Sequence, residues 1–152
     1  LLKPLELFLR VMQLYGLTLS VVFLMYTSAS IASTFFVTAG TFAIMSIYGY
    51  YTKKDLTSWG NLLFMALIGI IIASVVNIFM KSEMMYWLIT YAGVFIFVGL
   101  TAYDTQKIKR MSAASEIGSE EESKNAIVGA LMLYLDFINL FLLLLRILGD
   151  RK

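Results

Sequence analysis

Two aspartates lie inside apolar stretches, where an acidic side chain is costly. Asp104 closes the run MMYWLITYAGVFIFVGLTAY, and Asp136 interrupts a second apolar run within YLDFINLF. In a segment that crosses a bilayer, an acid near the middle costs roughly 2.5–3.5 kcal/mol on insertion scales. We therefore expect each of these acids to serve a function and to have a partner. Each is the obvious partner for the other.

The stretches around these acids predict a membrane protein. Of the 152 residues, 60% are hydrophobic and 14% are charged, against roughly 25% charged residues in an ordinary soluble domain. The apolar runs are continuous and do not alternate with period two, which favours helices over a β-barrel. We predict one all-α transmembrane domain over residues 1–152, with the lipid bilayer as its main contact. Five stretches reach the roughly 20 residues needed to cross a bilayer, and they are about 5–26, 31–51, 60–80, 84–104 and 126–148.

Missing residue types exclude several kinds of chemistry. The chain has no cysteine and no histidine, which removes disulfides, thiolate metal sites, the usual zinc sites and Ser–His catalysis. No phosphate-binding GxxxxGK[ST] motif occurs. The net charge of +2 implies no nucleic-acid partner. We expect no enzymatic activity and no cofactor.

The two acids lie on helical stripes that can face each other, because their spans are consecutive. Asp136 lies about 15 Å beyond the start of its span at 1.5 Å per residue. Asp104 lies near the same membrane face unless its helix continues through Ile108, so tilt or such an extension must make up the difference. The stripes are Gly93, Phe97, Leu100 and Asp104 on the fourth span, and Gly129, Met132, Asp136, Asn139 and Leu143 on the fifth.

If the carboxyls meet, both cannot readily ionise, because burial and like charge each raise the proton affinity. A shared proton would hold the two helices together, and its loss at higher pH would leave carboxylates able to part or to bind a cation. Asp104 and Asp136 are thus predicted as pH sensor, gate and metal ligands, with oxygens of the kind that suits calcium. Asn139, Tyr103 and Tyr134 are predicted as supporting polar residues. In the alternative reading, Asn139, a tyrosine hydroxyl or interface water satisfies each acid separately.

Two further patterns concern structure. The segment 105–125, TQKIKRMSAASEIGSEEESKN, is polar and lacks the alternating oxygen ligands of a calcium loop, so it is expected to be a solvated linker. The pair Gly69-xxx-Ala73 predicts close approach of a neighbouring helix.

Basic residues predict the orientation, because cytoplasmic loops are enriched in them. The more basic side should be cytoplasmic, which places the N-terminus and the 105–125 segment inside. That side has Lys3, Arg10, Lys53, Lys54, Lys107, Lys109, Arg110 and Lys124, and the other has Lys81, Arg146, Arg151 and Lys152.

The stretches GLTLS (16–20), GLTAYDTQ (99–106) and YLDFINLFLLLLRI (134–147) closely resemble the Bax inhibitor-1 family, specifically its bacterial inner-membrane branch. The resemblance implies a multi-pass inner-membrane protein with a seven-helix fold and a central last helix. It also implies a proton-sensitive calcium leak, in which the two aspartates that match Asp104 and Asp136 act as sensor and gate. The family has two helices before the first span seen here, so we expect this chain to be the C-terminal five-helix portion.

Three function hypotheses remain open at this point. The first is a pH-gated leak for calcium or other cations. The second is a regulatory membrane protein that binds and modulates another membrane protein, such as a membrane-bound protease. The third is an intramembrane aspartyl protease, because two aspartates on neighbouring membrane helices can activate water. The second acid, in Tyr134-Leu135-Asp136, lacks the glycine-flanked setting of that enzyme class.

Overall fold

The computed structural model describes residues 2–151 and shows an all-helical chain. Each of its five helices is long and apolar enough to cross a membrane. The predicted fold class, an all-α bundle with five spans, is confirmed, whereas the assignment of these spans to a single domain stays a prediction. The helices are α1 (Leu2–Met25), α2 (Ser28–Tyr51), α3 (Thr57–Met80), α4 (Glu83–Ala114) and α5 (Glu120–Leu148).

Short hydroxyl side chains mark where three of the helices begin. The Thr27 hydroxyl caps α2, the Ser82 hydroxyl caps α4 and the Ser119 hydroxyl caps α5, each by accepting a backbone N–H from the first turn. At the end of α3, Lys81 takes a left-handed conformation and donates its N–H to the carbonyl of Asn77. These local signals separate helices whose apolar sequences would otherwise run together.

The prediction of a linker over 105–125 is wrong for most of that segment. Helix α4 continues to Ala114 and α5 begins at Glu120, which leaves only residues 115–119 between them. Lysine, arginine and glutamine are good helix formers. Gln106 and Arg110 bond to the loop before α3, and Lys109 bonds to the Tyr50 carbonyl at the end of α2. Polarity therefore marks the end of the apolar part of α4 and not the end of the helix.

Helices α4 and α5 form the centre of the bundle. They pack along each other, α2 packs against both, α3 packs against α4, and α1 packs against α5. The last helix is therefore surrounded by α1, α2 and α4. The largest fully buried side chains lie on α2, α4 and α5, and they are Leu140, Leu145, Thr34, Thr38, Thr90 and Thr101.

Glycines allow the closest helix contacts. A Cβ at Gly49 would overlap the backbone carbonyl of Ala102 in α4, and one at Gly93 would lie 2.9 Å from Cδ1 of Leu143 in α5. The close packing predicted for Gly69-xxx-Ala73 is wrong at Gly69, where a Cβ would meet no atom within 4 Å. Helix α3 touches α4 nearer its start, through Gly60, so the Gly69 turn faces away from the bundle.

The end of α5 is tied to the turn between α1 and α2. Tyr26 and Arg151 form an isolated antiparallel bridge, and the Thr27 N–H donates to the carbonyl of Asp150 over 3.0 Å. The Asp150 N–H donates in turn to the Ser30 hydroxyl. These bonds fix the register between the first helix pair and the last helix.

Candidate functional site

A cavity of about 870 Å³ lies between α3, α4 and α5, and Tyr15 from α1 also contributes to its lining. The structure brings the two predicted stripes together along its wall, with one exception, because Gly129 packs against Ile108 instead. The stripe residues that line the cavity are Gly93, Phe97, Leu100 and Asp104 on α4, and Met132, Asp136, Asn139 and Leu143 on α5.

The acidic pair is buried in this wall. Asp104 is 8% exposed and Asp136 is 5% exposed. Their side chains are neighbours, and Oδ2 of Asp136 is buried and receives no hydrogen bond within the described chain. Two carboxyls can share a hydrogen bond only when one of them holds a proton. The geometry is therefore suited to a single shared proton.

Among the described residues, no basic side chain forms an ion pair with either acid. Within residues 2–151 the ion pairs are Glu6–Arg10 and Asp55–Arg110, and both are exposed. Like charges close together in a medium of low dielectric favour the protonated form of one partner. Within the described residues, no ion pair with a basic side chain therefore stabilises the two acids.

The length of α4 reduces the mismatch in depth that the sequence predicts between the acids. Asp104 lies ten residues before the end of α4 and Asp136 lies sixteen residues after the start of α5. At 1.5 Å per residue these positions are about 15 Å and about 24 Å from the adjoining helix ends, so both acids lie well inside their helices.

The supporting polar residues have separate contacts. Oδ1 of Asn139 accepts the Tyr15 hydroxyl over 3.1 Å, and the Tyr134 ring stands edge-on to Tyr15 at 6.0 Å without lining the cavity. Tyr103 lies against Gly60 of α3. In the described chain neither aspartate is hydrogen-bonded by Asn139 or by these tyrosines.

Three titratable lining residues were not predicted as part of the site, namely Tyr15, Lys107 and Arg146. Lys107 lies one turn beyond Asp104, and the Arg146 guanidinium stacks 5.2 Å from the ring centroid of Tyr86 toward the opposite end of α5. In the sequence, Lys107 and Arg146 contribute only to the predicted orientation, and Lys107 lies in the segment that was predicted to be a linker. Nothing in the sequence distinguishes Tyr15 from its apolar neighbours.

The cavity offers few ligands for a tightly bound metal. Within the described residues there is no group of three or more histidine, cysteine or acidic side chains that could hold one. Calcium usually takes six to eight oxygen ligands. The two carboxylates could therefore coordinate a cation only together with water or neutral oxygens.

The family is decided by comparison with known proteins, since residues 3–152 match the family described as Inhibitor of apoptosis-promoting Bax1. The chain belongs to the Bax inhibitor-1 family. The resemblance carried by GLTAYDTQ and YLDFINLFLLLLRI is thereby confirmed.

Several bacterial Bax inhibitor-1 relatives are close in sequence. The inner membrane protein YbhL of Escherichia coli (strain K12) is 60% identical over 149 residues, which are 96% of this chain and 63% of the relative. An uncharacterized protein of Borreliella burgdorferi is 53% identical, with 96% of this chain and 63% of the relative covered. The uncharacterized protein RP147 of Rickettsia prowazekii is 49% identical, over 91% of this chain and 58% of the relative.

The chain therefore spans slightly less than two thirds of the length of these relatives. The relative YbhL is an inner membrane protein, and the five helices are long and apolar enough to cross a membrane. The predicted location, multi-pass in the bacterial inner membrane, is confirmed.

Proposed function

We propose that this Bax inhibitor-1 family protein is a pH-sensitive leak channel for calcium, in which Asp104 and Asp136 form the proton sensor. One observation carries the proposal. The two acids are buried on facing helices, their side chains are neighbours, and no cation within the described residues forms an ion pair with either. Buried ionisable groups inside a membrane bundle are costly, and they typically mark ion or proton pathways.

At low pH one proton lies between the two carboxyls and holds α4 against α5. As the pH rises and the pair loses this proton, two carboxylates face each other in a poorly solvated space and repel. Separation of the helices enlarges the cavity, and the carboxylate oxygens attract a cation into it. The channel is thus closed in acid and open toward alkaline pH.

The small number of cation ligands in the cavity fits ion conduction better than metal-dependent catalysis or metal storage. A leak requires binding that is strong enough for a cation to enter and weak enough for it to leave. Two carboxylates with the side chains of Asn61 and Ser74 in the same cavity meet that requirement better than a complete calcium cage would. The transported cation is a hard ion such as calcium, because all of these ligands are oxygens.

The test is calcium flux into proteoliposomes at several pH values. Asp136→Asn keeps the shape of the side chain and removes the ionisable group, so we expect the several-fold rise in flux with pH to disappear. Asp104→Asn should act in the same way. Asp150→Asn is the matched control, because Asp150 is exposed at the end of the bundle and lies outside the cavity. Flux that depends on pH equally in all four proteins would defeat the proposal.

The same experiment addresses the alternative of a regulatory protein. In that case the acids fix only the packing of α4 on α5, and the bundle binds another membrane protein. Absence of calcium flux in pure lipid, with one partner crosslinked in stoichiometric amount, would favour this alternative.

A further inference from the structure

A groove separate from the acidic pair lies between α2, α4 and α5, near the turn that joins α4 to α5. Its volume is about 470 Å³, which is within the range of small-molecule sites. It shares no lining residue with the cavity that contains the acidic pair. The lining residues are Tyr50 of α2, Leu133 of α5, and Thr105, Ile108, Lys109, Ser112 and Ala113 of α4.

The groove leads from the level of the lipid headgroups toward the apolar core of the bilayer. Helix α4 has 32 residues, or about 48 Å at 1.5 Å per residue, whereas the hydrocarbon core is about 30 Å thick. The polar end of α4 therefore extends beyond that core. Thr105 and Leu133 lie nearer the middle of their helices than Ser112 does. The groove thus has its mouth at Ser112 and its deep end at Leu133.

The two ends of the groove differ in polarity. The deep end has the apolar side chain of Leu133, and the Thr105 hydroxyl there donates to the Thr101 carbonyl over 2.7 Å, so its donor is used within the helix. The mouth has the ammonium group of Lys109 and the hydroxyl of Ser112, and no acidic residue lines the groove. A phospholipid divides in the same way, into an apolar chain and a charged phosphate.

The end of α2 holds Lys109 in place at the mouth. Its Nζ donates to the Tyr50 carbonyl over 2.7 Å and lies 4.6 Å from the centroid of the Tyr50 ring. Carbonyls in the last turn of a helix lack intrahelical partners and attract cations. An ammonium group has three donors, and within residues 2–151 Lys109 uses one of them in this hydrogen bond. The others can bind a ligand from a side chain whose position is already fixed.

The neighbouring cations of α4 are engaged elsewhere. Arg110 donates to Oδ1 of Asp55 over 3.0 Å. Hydrogen bonds from the Thr57 hydroxyl, the Thr57 N–H and then Arg110 lower the pKa of Asp55 to about 2. Asp55 is therefore ionised at neutral pH and keeps Arg110 paired. Lys107 lines the cavity of the acidic pair instead. Lys109 is thus the cation of this segment that the groove can use.

We propose that this groove binds an anionic phospholipid, with the phosphate at Lys109 and Ser112 and an acyl chain along Ile108 and Leu133. Basic pockets between transmembrane helices bind anionic lipid headgroups. A soluble anion would use only the mouth and leave the apolar deep end without a contact. A zwitterionic lipid would bring a cation of its own toward Lys109. The site goes beyond the proposed channel and does not depend on it.

The test measures the lipid affinity of the purified protein in a neutral detergent by native mass spectrometry. The probes are dioleoyl phosphatidylglycerol and dioleoyl phosphatidylcholine, which share their acyl chains and differ in net charge. We expect phosphatidylglycerol to bind more tightly. Lys109→Gln should lower its affinity about fivefold or more and leave that of phosphatidylcholine nearly unchanged. Equal affinities for the two lipids in the unmodified protein would overturn the proposal.

Lys53→Gln is the matched control, because Lys53 is an exposed residue of the loop before α3 and does not line the groove. It removes the same charge and should leave the affinity unchanged. Equal losses in Lys53→Gln and Lys109→Gln would show general attraction of lipid to a basic surface and no specific site. Lys109→Arg retains the cation and should retain most of the affinity. A loss in Lys109→Arg as large as in Lys109→Gln would assign the effect to packing and overturn the role of charge.

A further variant tests the apolar part of the groove. Ala113→Phe narrows the groove without changing its charge, at a position that is exposed on α4. We expect a several-fold loss of phosphatidylglycerol affinity with an unchanged unfolding temperature. Unchanged affinity would show that the acyl chain does not lie in the groove. Displacement of the lipid by inorganic phosphate, but not by chloride at the same ionic strength, would show a simple anion site. Either result would overturn the proposal.

Discussion

Helix α3 is more apolar than α4, but it is less buried. Helix α3 is the most apolar of the five, yet among its described residues only Gly60 is buried. Helix α4 is less apolar and buries Thr90, Thr101, Asp104 and Gln106. In a bilayer an apolar side chain loses nothing by facing lipid, whereas a polar group there lacks a hydrogen-bond partner. Buried polar side chains, and not a high mean hydropathy of the helix, mark the centre of this bundle.

Three of the four fully buried threonines show how the centre tolerates this polarity, whereas the Thr34 hydroxyl has no hydrogen-bond partner in the described chain. The Thr38, Thr90 and Thr101 hydroxyls each donate to the backbone carbonyl four residues earlier, over 2.7–2.8 Å. Each side chain therefore satisfies its own donor within its helix. Their small size lets the helices approach closely, which is how small residues act in membrane helix packing.

The largest expected effect is on the free energy of unfolding, when a large side chain is truncated at the centre of the bundle and at its periphery. Leu140 on α5 is 0% exposed, whereas Phe79 on α3 is 82% exposed. We expect Leu140→Ala to lower the free energy of unfolding by about 2–5 kcal/mol, because it leaves a cavity. Phe79→Ala should change it little. Thermal unfolding in mild detergent measures both, and equal losses would contradict the central position of α5.

A second test compares two glycines on the same helix. Gly49→Ala places a methyl group against the backbone of Ala102 and should cost about 1–3 kcal/mol by overpacking. A Cβ at Gly40 meets nothing within 4 Å, so Gly40→Ala should be neutral or slightly stabilising. The same unfolding assay measures both variants. If Gly40→Ala proved the more damaging, the packing of α2 on α4 would be wrong.

A smaller effect is expected where α1 meets α5. Tyr15→Phe removes the hydroxyl that bonds to Asn139 and should cost about 0.5–1.5 kcal/mol of unfolding free energy. Tyr91→Phe is the control, because Tyr91 is an exposed residue of α4. If Tyr91→Phe lowered the free energy of unfolding as much as Tyr15→Phe, the hydrogen bond from Tyr15 to Asn139 would not explain the loss.

The smallest effect belongs to the exposed Arg110–Asp55 pair. We expect Arg110→Gln to change stability only slightly, because the pair is solvated. The lowered pKa of Asp55, about 2, means that this contribution is present above the ordinary value near 4 and is lost as the pH falls through about 2. Unfolding of the variant and the unmodified protein should therefore differ by the same amount at pH 5 and at pH 8. A difference that changed between these values would show a second titrating group.

The main features of the candidate site were predictable because acids within apolar stretches are conspicuous. Helical periodicity then indicated which faces of α4 and α5 meet, and the cavity lining follows it. The extension of α4 was not predictable in the same way, since Lys107, Lys109 and Arg110 suit a polar helix and a polar loop equally well.

Other features depend on contacts between distant parts of the chain. The Gln106 side chain bonds to the backbone of Leu56 and Lys54, about fifty positions earlier in the chain, and no local pattern indicates these bonds. Gly49 and Gly69 are both glycines in apolar helices, yet only Gly49 contacts a neighbouring backbone. The position of the neighbouring helix determines which glycine makes a close contact. That position cannot be read from the sequence of the helix that carries the glycine.

The central place of α5 has a consequence for biosynthesis. This helix leaves the ribosome after the other four, although α1, α2 and α4 all pack against it. Until it inserts, Asp104 lacks its neighbour Asp136, and the turn at Thr27 lacks its hydrogen bond to Asp150. Maturation of the bundle therefore waits for the synthesis of α5, and a ribosome that stalls before α5 would leave a membrane intermediate exposed to quality-control proteases.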